Sequence, residues 1–334
     1  MPDILFEVIE KNPGNKLGKI ILNRPKALNA LNGDMFTALE QQLIAWENDA
    51  SIKAVLIRSN NEKAFCAGGD IRAVYEGNAK ADYFRREYNV NRQIYHYSKP
   101  YIAFMNGITM GGGVGISIPG RYRITSTDLR LAMPETLIGF FPDVGATYYL
   151  SRLPNHVGTY LALIGNAIHA QDALQLQFVD AVIPREQFDA VERAIVDAVD
   201  SDIASIIQQF HTAQNGKTLC VNSIAKCFQF ETVEAILAAL ENEQTEWAVA
   251  VLSQLKMRSP TSLKVTMRQL QLAKQKSFDE VIEMDYHIAK TMLEQHDFHE
   301  GIRAAIIDKD KNPTWCPGTL SDVTEERVQR YFER

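Results

Sequence analysis

Short apolar runs with the character of β-strands alternate with amphipathic helical stretches over the first half of the chain. The strand-like runs occupy residues 19–23, 54–59, 101–106 and 122–126. Between the first two lies the clearest helical pattern, whose apolar face is formed by Met35, Leu39, Leu43 and Trp46. Alternating strands and helices are typical of proteins in which helices cover a largely parallel sheet. We therefore predict an α/β fold for this part of the chain.

From about residue 187 onwards the pattern becomes purely helical. Ser259 and Pro260 have the order of an N-cap followed by proline at the first helical position. Ser277 and Glu280 have the spacing of a capping box. Because no Gly-, Ser- or Pro-rich linker marks the change, we predict an α/β core with the active site at residues 1–200 and a helical region packed on it at residues 201–334.

The composition excludes several classes of protein. Hydrophobic residues make up 46% of the 334 residues and charged residues 23%, which is typical of a globular chain with a substantial core. The net charge of −6 disfavours a general nucleic-acid binder, and no apolar run approaches the roughly 18 residues of a membrane span. The first residues have neither a secretory apolar core nor an Arg-rich transit composition. We expect a cytoplasmic protein without nucleic-acid or membrane partners.

Cysteine and histidine spacing gives no sign of a metal site or a disulfide framework. The four cysteines contain no CxxC pair, and only His296 and His299 lie one helical turn apart. One such histidine pair is better explained by packing or surface exposure than by metal binding. We predict that the protein has no metal and no redox cofactor.

A glycine-rich run at residues 107–115 reads Gly-Ile-Thr-Met-Gly-Gly-Gly-Val-Gly and follows a strand-like segment. Its consecutive glycines remove every Cβ, so that a substrate can touch the backbone, and N–H groups at the start of a helix have no partner there. The spacing fits neither a dinucleotide fingerprint nor a P-loop, because Ile116 or Ile118 occupies the third glycine position and no Gly-Lys-Ser/Thr is present. The run alone leaves two interpretations open, a backbone oxyanion site or a packing turn.

A second glycine-rich turn lies at residues 65–72, shortly after the strand-like run at 54–59. The N–H of Gly69 would provide a second donor to one carbonyl oxygen, and acyl-transfer and enolate chemistry both need such a pair of donors. Asp70 is better explained as a helix N-cap than as a catalytic group.

Three carboxylates are candidates for acid–base chemistry. Glu135 lies in the otherwise apolar run at 131–145, so burial should raise its pKa towards the range of a general base. A capping role for Glu135 stays open. Asp143 follows a proline and precedes a helical pattern, and by itself it is better explained as an N-cap. Glu87 lies beside arginines in a helical stretch, and by itself it is better explained as a solvated side chain.

Taken together, the two glycine turns and the segment Asn-Arg-Pro-Lys-Ala-Leu-Asn-Ala-Leu at 23–31 resemble the crotonase (enoyl-CoA hydratase/isomerase) superfamily of acyl-CoA enzymes. The three motifs come in the right order, and the resemblance covers essentially all of the first 200 residues. The resemblance implies a spiral of ββα units followed by a helical C-terminal region, with Gly69 and Gly112 as the two oxyanion-hole donors. It also implies an acyl-CoA substrate, no separate cofactor because coenzyme A is part of that substrate, and a possible homo-oligomer.

The segments at 107–115, 132–135, 141–145 and 296–310 resemble a branch of the superfamily that hydrolyses 3-hydroxyacyl-CoA thioesters. That resemblance implies that Glu135 and Asp143 are catalytic and that Glu87, Gly112, Glu135 and Asp143 contact the substrate. Hydratases of the superfamily carry a catalytic Glu where this chain has Gly115, which disfavours hydration. An enoyl-CoA hydratase or isomerase and a non-catalytic acyl-CoA-binding protein remain as alternatives.

Overall fold

The computed structural model describes residues 1–12, 15–77, 80–197, 202–212 and 219–333. In the described chain, strands alternate with helices up to β9 and helices follow, so the predicted α/β class with a helical C-terminal region is confirmed. The strands are β1 (Ile4–Asn12), β2 (Asn15–Leu22), β3 (Ile52–Ser59), β4 (Ala64–Cys66), β5 (Tyr101–Met105), β6 (Ile108–Met110), β7 (Tyr122–Thr125), β8 (Arg130–Ala132) and β9 (Ala181–Val182).

The helices differ widely in length. The first eight are α1 (Gly33–Asn48), α2 (Ile71–Glu76), α3 (Lys80–Tyr95), α4 (Gly112–Gly115), α5 (Ala146–Leu150), α6 (Val157–Ile164), α7 (Ala170–Gln175) and α8 (Phe188–Asp197). The others are α9 (Ile203–Phe210), α10 (Val221–Cys227), α11 (Val233–Glu243), α12 (Glu246–Lys256), α13 (Pro260–Ala273), α14 (Phe278–Met292), α15 (His296–Ile302) and α16 (Glu325–Gln329). None of the described helices combines the length and apolar character needed to cross a bilayer.

The chain forms two compact units built from interleaved segments. The first unit contains Met1–Asp70, Asn89–Leu131 and Ala167–Leu219. The second contains Ile71–Tyr88, Ala132–Asn166 and Cys220–Arg334. The predicted boundary between residues 200 and 201 lies outside the described residues, so the division at that point stays a prediction.

The first unit is built on a six-stranded sheet in the order β1-β2-β3-β5-β7-β9. β1 and β2 are antiparallel, and the other neighbours are parallel. Apolar side chains of the sheet pack with those of α8 and α9 into one buried cluster that includes Leu56, Phe104, Phe188, Ile195 and Ile207. The helix predicted from its apolar face is confirmed as α1, which begins after Asn32, whose side chain accepts a hydrogen bond from the Met35 N–H.

A second sheet of three short strands, in the order β4-β6-β8, positions the two glycine turns. β4 and β6 are parallel, with Cys66 opposite Thr109. Because parallel strands end at the same edge of a sheet, the turns that follow β4 and β6 lie side by side. The contact is so close that a Cβ on Gly113 would lie 2.5 Å from the backbone oxygen of Cys66.

The second unit is predominantly helical. Ser259 caps α13, and Ser277 and Glu280 form the predicted capping box at the start of α14. Along α14 the buried stripe contains apolar residues at 281, 282, 288, 289 and 292, together with the carboxyl group of Asp285. A charged residue in such a stripe is expensive to bury and therefore calls for a specific partner.

We predict that Gly113→Ala destabilises the protein by about 1–3 kcal/mol, because the new methyl group would meet backbone atoms that no rotamer change can move. Gly33→Ala is the matched control, since a Cβ at Gly33 has no atom within 4 Å and alanine reduces the entropy of the unfolded chain. Urea unfolding of the two variants measures the difference. Equal stability of the two would contradict the close approach of the glycine turns.

Candidate active site

The two glycine turns of the first unit are in direct backbone contact. Gly68 has a φ of +114°, and a Cβ there would lie 3.3 Å from the Met110 oxygen and 3.9 Å from the Gly112 nitrogen. A side chain at Gly68 would therefore both strain the backbone and fill the space beside Gly112. The structure thus brings the turns that carry the two predicted donors, Gly69 and Gly112, next to each other.

The backbone pairing around Gly69 and the position of Gly112 in its helix bear on whether their N–H groups can serve as donors. Leu31 donates to the Gly68 oxygen at 2.8 Å and accepts from the Asp70 N–H at 2.7 Å, so these bonds bracket Gly69 and its own N–H points away from Leu31. Gly112 is the first residue of α4, where an N–H has no acceptor within the helix. Their role as oxyanion donors stays a prediction.

Three carboxyl groups form a buried cluster in the second unit. Glu87 on α3 is 2% exposed, Glu135 at the start of a 3₁₀ helix is 7% exposed, and Asp143 just before α5 is 4% exposed. The expected burial of Glu135 is confirmed. The interpretation of Glu87 as a solvated side chain is wrong, because the side chain is buried. Its sequence neighbours along α3 gave no indication of the segments that pack around it. Asp143 is not a helix cap either, because Gly145 occupies that position in α5.

Burial and mutual repulsion shape the ionisation of this cluster. Burial raises the pKa of Glu135 well above its usual range, and the charge of Asp143 raises it further. Burial also raises the pKa of Glu87, with Asp143 and then Glu135 adding to the effect. Burial raises the pKa of Asp143 to about 7, although Tyr88 donates a hydrogen bond to it. The carboxyl groups therefore titrate as a coupled set, within reach of neutral pH for Asp143.

Two carboxyl oxygens in the cluster have no hydrogen-bond partner among the described residues. They are Oε1 of Glu87 and Oε2 of Glu135, and both are buried. A buried polar atom of this kind calls for a bound water or a substrate group. The arrangement suits an enzyme that holds water or a substrate hydroxyl next to a carboxyl group.

Sequence reasoning missed three polar residues around Asp143. The Tyr88 hydroxyl donates to Asp143 Oδ2 at 2.9 Å. Asp285 accepts from the Gly145 N–H at 2.8 Å, and Gln269 donates to Asp285 at 2.7 Å. Asp285 gave a signal that could have been used, because it is a carboxylate at a position of α14 where the apolar stripe requires a buried residue.

Within the described residues no three His, Cys, Asp or Glu side chains are arranged to hold a metal ion. The absence of a metal or other cofactor stays a prediction.

The chain belongs to the enoyl-CoA hydratase/isomerase family, whose model matches residues 17–332. The predicted membership of the crotonase superfamily and its fold are therefore confirmed. Two similar solved structures agree over almost the whole chain. A carnitinyl-CoA dehydratase from Mycobacterium thermoresistibile is 35% identical with a TM-score of 0.91, and the match covers 99% of this chain and 96% of that one. An enoyl-CoA hydratase from Rhodobacter sphaeroides 2.4.1 is 34% identical with a TM-score of 0.91, covering 99% and 97%.

Among characterised proteins the chain is similar to 3-hydroxyisobutyryl-CoA hydrolases, which confirms the predicted resemblance to the hydrolase branch. The protein of that name from Danio rerio is 39% identical, with 99% of this chain and 89% of the relative covered. The one from Homo sapiens is 38% identical, with 95% and 86% covered.

The prediction of a cytoplasmic protein is wrong by the same comparison, because these relatives are named as mitochondrial proteins. The prediction rested on the composition of the first residues. A targeting segment is read by the import machinery and removed, so neither the core nor the site of a folded chain records its compartment.

We predict that Asp143→Asn stabilises the protein at pH 8 by up to about 4 kcal/mol. With a folded pKa of about 7, against 3.8 in the unfolded chain, Asp143 keeps a proton that the unfolded chain has lost between about pH 4 and 7. The free energy of unfolding of the wild type therefore falls as pH rises through that window, and the amide removes this fall. Urea unfolding at pH 5 and 8 measures the effect.

Glu300→Gln is the control of opposite sign. Arg303 donates two hydrogen bonds to Glu300 and holds the pKa of that carboxyl at about 2. Its amide variant should lose stability at pH 8. A larger stability of Asp143→Asn at pH 5 than at pH 8, relative to the wild type, would contradict the raised pKa.

Proposed function

We propose that the chain hydrolyses the thioester of 3-hydroxyisobutyryl-CoA to 3-hydroxyisobutyrate and free coenzyme A. The observation that carries the proposal is the buried carboxyl cluster around Glu135 and Asp143 in a chain that has Gly115 where a hydratase would have the first of its two catalytic Glu residues. The similarity to hydrolases of that name over almost the whole chain supports it. The isobutyryl skeleton is the carbon skeleton of valine after loss of the carboxyl group, so we place the reaction in valine catabolism.

The proposed mechanism begins with the thioester carbonyl oxygen accepting hydrogen bonds from the Gly69 and Gly112 N–H groups. Both donors are backbone groups, so they would stabilise the tetrahedral oxyanion without any side-chain rearrangement. Loss of one donor of this type typically costs about 10²–10³-fold in rate. The need for backbone access accounts for the glycine at 68, where a side chain would fill the space beside the Gly112 nitrogen.

Glu135 has one of two roles. As a nucleophile it attacks the thioester carbon, giving a mixed anhydride that water then hydrolyses. As a general base it removes a proton from the water that attacks the same carbon. Both routes need the ionised carboxylate, and its raised pKa makes the carboxylate more basic than an exposed Glu. Asp143 positions water or the substrate hydroxyl and assists proton transfer, and Glu87 provides a further polar contact.

In either route the C–S bond breaks and coenzyme A leaves as a thiolate, while one water supplies the new acid oxygen and the proton. A thiolate is weakly basic, so its departure needs little help from an acid. The raised pKa of Glu135 therefore serves the attack on the thioester carbon and not the departure of the thiolate. A homo-oligomeric state is not needed for this scheme and stays a prediction.

A second candidate function is hydration of an enoyl-CoA. It is favoured by the two similar structures, which are named as a carnitinyl-CoA dehydratase and an enoyl-CoA hydratase. Addition of water across a double bond on this fold uses a carboxylate at the position of Gly115 as well as one at Glu135. The wild type should therefore turn over crotonyl-CoA far more slowly than 3-hydroxyisobutyryl-CoA.

We predict that Glu135→Gln lowers kcat for 3-hydroxyisobutyryl-CoA by at least about 10³-fold, because an amide can neither attack nor take a proton. The release of free thiol from purified protein measures the rate. Glu192→Gln is the matched control, since Glu192 is also buried but forms ion pairs with Lys19 and Arg58 in the first unit. The control should lose stability and keep its kcat.

Two results would overturn the proposal. The first is a wild type that hydrates crotonyl-CoA and releases no thiol from 3-hydroxyisobutyryl-CoA, which would establish the hydratase. The second is coenzyme A binding without turnover of either substrate, with Glu135→Gln unchanged, which would indicate a non-catalytic acyl-CoA-binding protein.

A further inference from the structure

The turn that carries Asp143 has a strained backbone. Val144 has a φ of 53° and Gly145 a φ of 76°, so two consecutive residues are in the left-handed region. Valine is β-branched and strongly disfavours this conformation. Such a conformation persists only where the surrounding structure determines it by several contacts. The contacts that hold this turn therefore also determine the position of Asp143.

Two buried side chains from the C-terminal helices hold both ends of the turn. Asp285 of α14 accepts the Gly145 N–H with Oδ2 at 2.8 Å. Gln269 of α13 donates one amide group both to Asp285 Oδ1 at 2.7 Å and to the Pro142 oxygen at 3.1 Å. Asp285 and Gln269 are both 0% exposed. Pro142 and Gly145 are thus connected through a single hydrogen-bonded side-chain pair, with Asp143 and Val144 between them.

The hydrogen bonds select a carboxylate at position 285. Each oxygen of Asp285 faces an N–H donor, whereas a protonated carboxyl group would have to donate its own hydrogen to an acceptor. An asparagine could accept from Gly145, but its NH₂ would then face the amide NH₂ of Gln269. The site is therefore built for an acceptor at both atoms, which a neutral amide cannot supply.

We propose that Asp285 and Gln269 are positioning residues that hold the carboxyl group of Asp143 in its working orientation. The inference rests on the proposed function, because it takes its purpose from the role of Asp143 in hydrolysis. Neither Asp285 nor Gln269 is proposed to contact the substrate. They act through the backbone of the turn, which they fix at residues 142 and 145.

A purely structural explanation accounts poorly for this pair. The core-facing stripe of α14 is otherwise largely apolar, and a hydrophobic residue at position 285 would be cheaper to bury than a carboxyl group. Burial raises the pKa of Asp285 well above its usual range, as does the charge of Asp143, while the Gly145 N–H and the Gln269 amide lower it. The ionisable groups coupled to Asp285 are Asp143 and Tyr88, since the charge of Asp285 also raises the pKa of the Tyr88 hydroxyl.

The test compares Asp285→Asn with Asp172→Asn. Asp172 is a matched control because it is 5% exposed, accepts the Leu219 N–H at 3.0 Å and belongs to the first unit. We expect Asp285→Asn to lower kcat for 3-hydroxyisobutyryl-CoA about 10–100-fold with less than about a threefold change in KM, as a misplaced catalytic group does. The acid limb of its pH–rate profile should move to higher pH, because a displaced Asp143 loses the hydrogen bond from Tyr88 that lowers its pKa. The control should keep the wild-type kcat and profile.

Two further variants guard against a general folding defect. Gln269→Met removes both donors with little change in volume and should lower kcat in the same direction. The double variant Gln269→Glu with Asp285→Asn reverses the donor and acceptor of the pair and keeps the total charge. It should recover part of the kcat lost in Asp285→Asn.

Infrared titration of the carboxyl bands separates this inference from the proposed function, because it needs no substrate. Asp143→Asn identifies the Asp143 band, and the midpoint of that band should be higher in Asp285→Asn than in the wild type, because a displaced Asp143 loses the Tyr88 hydrogen bond that lowers its pKa. A higher midpoint supports the inference even if the wild type releases no coenzyme A, in which case only the proposed function fails. An unchanged midpoint, or an active enzyme whose kcat and pH profile survive Asp285→Asn, would overturn the inference.

Discussion

The burial of several carboxyl groups in one small region of the second unit is the constraint on which the rest of the structure depends. Glu87, Glu135, Asp143 and Asp285 are each less than 9% exposed. Water would solvate such groups better than a protein interior does, so the fold must supply hydrogen bonds or tolerate protonation. It does both, since Asp285 receives N–H donors from two sides, while Glu87 and Glu135 each keep one oxygen that has no partner among the described residues. Burial thus gives the carboxyl groups raised pKa values and lowers the free energy of unfolding wherever they are ionised.

The backbone N–H groups of the glycine turns and the buried carboxyl groups depend on different features of the fold. The glycine N–H groups of the first unit depend on the parallel pairing of β4 and β6 and on the absence of side chains at their ends. The carboxyl groups of the second unit depend on helices from three separate segments of the sequence. Backbone donors are insensitive to ionisation, whereas the carboxyl groups are sensitive to every nearby charge. The pKa values of these groups are therefore set by charges and burial within the second unit.

Local patterns predicted what is locally determined. The apolar face of α1, the four strand-like runs and the capping box at Ser277 could be predicted because periodicity and caps act over a few residues. The burial of Glu87 could not, since its surroundings come from distant segments and arginines flank it in the sequence. Its importance came only from the family resemblance. Asp143 looked like a cap because a proline and a helix flank it, and the strained turn that separates it from α5 leaves no mark in composition.

The motifs that identify the family in this sequence lie mostly before residue 146, but the side chains that hold the Asp143 turn come from positions 269 and 285. A reading frame interrupted shortly after residue 145 would still be recognised by any search that relies on the motifs before that point. It would encode the glycine turns, Glu135 and Asp143 without the partners of the turn. For gene fragments and fusions of this family, recognisable motifs and a complete carboxyl cluster are therefore separate properties, and only the second depends on helices that carry no motif of their own.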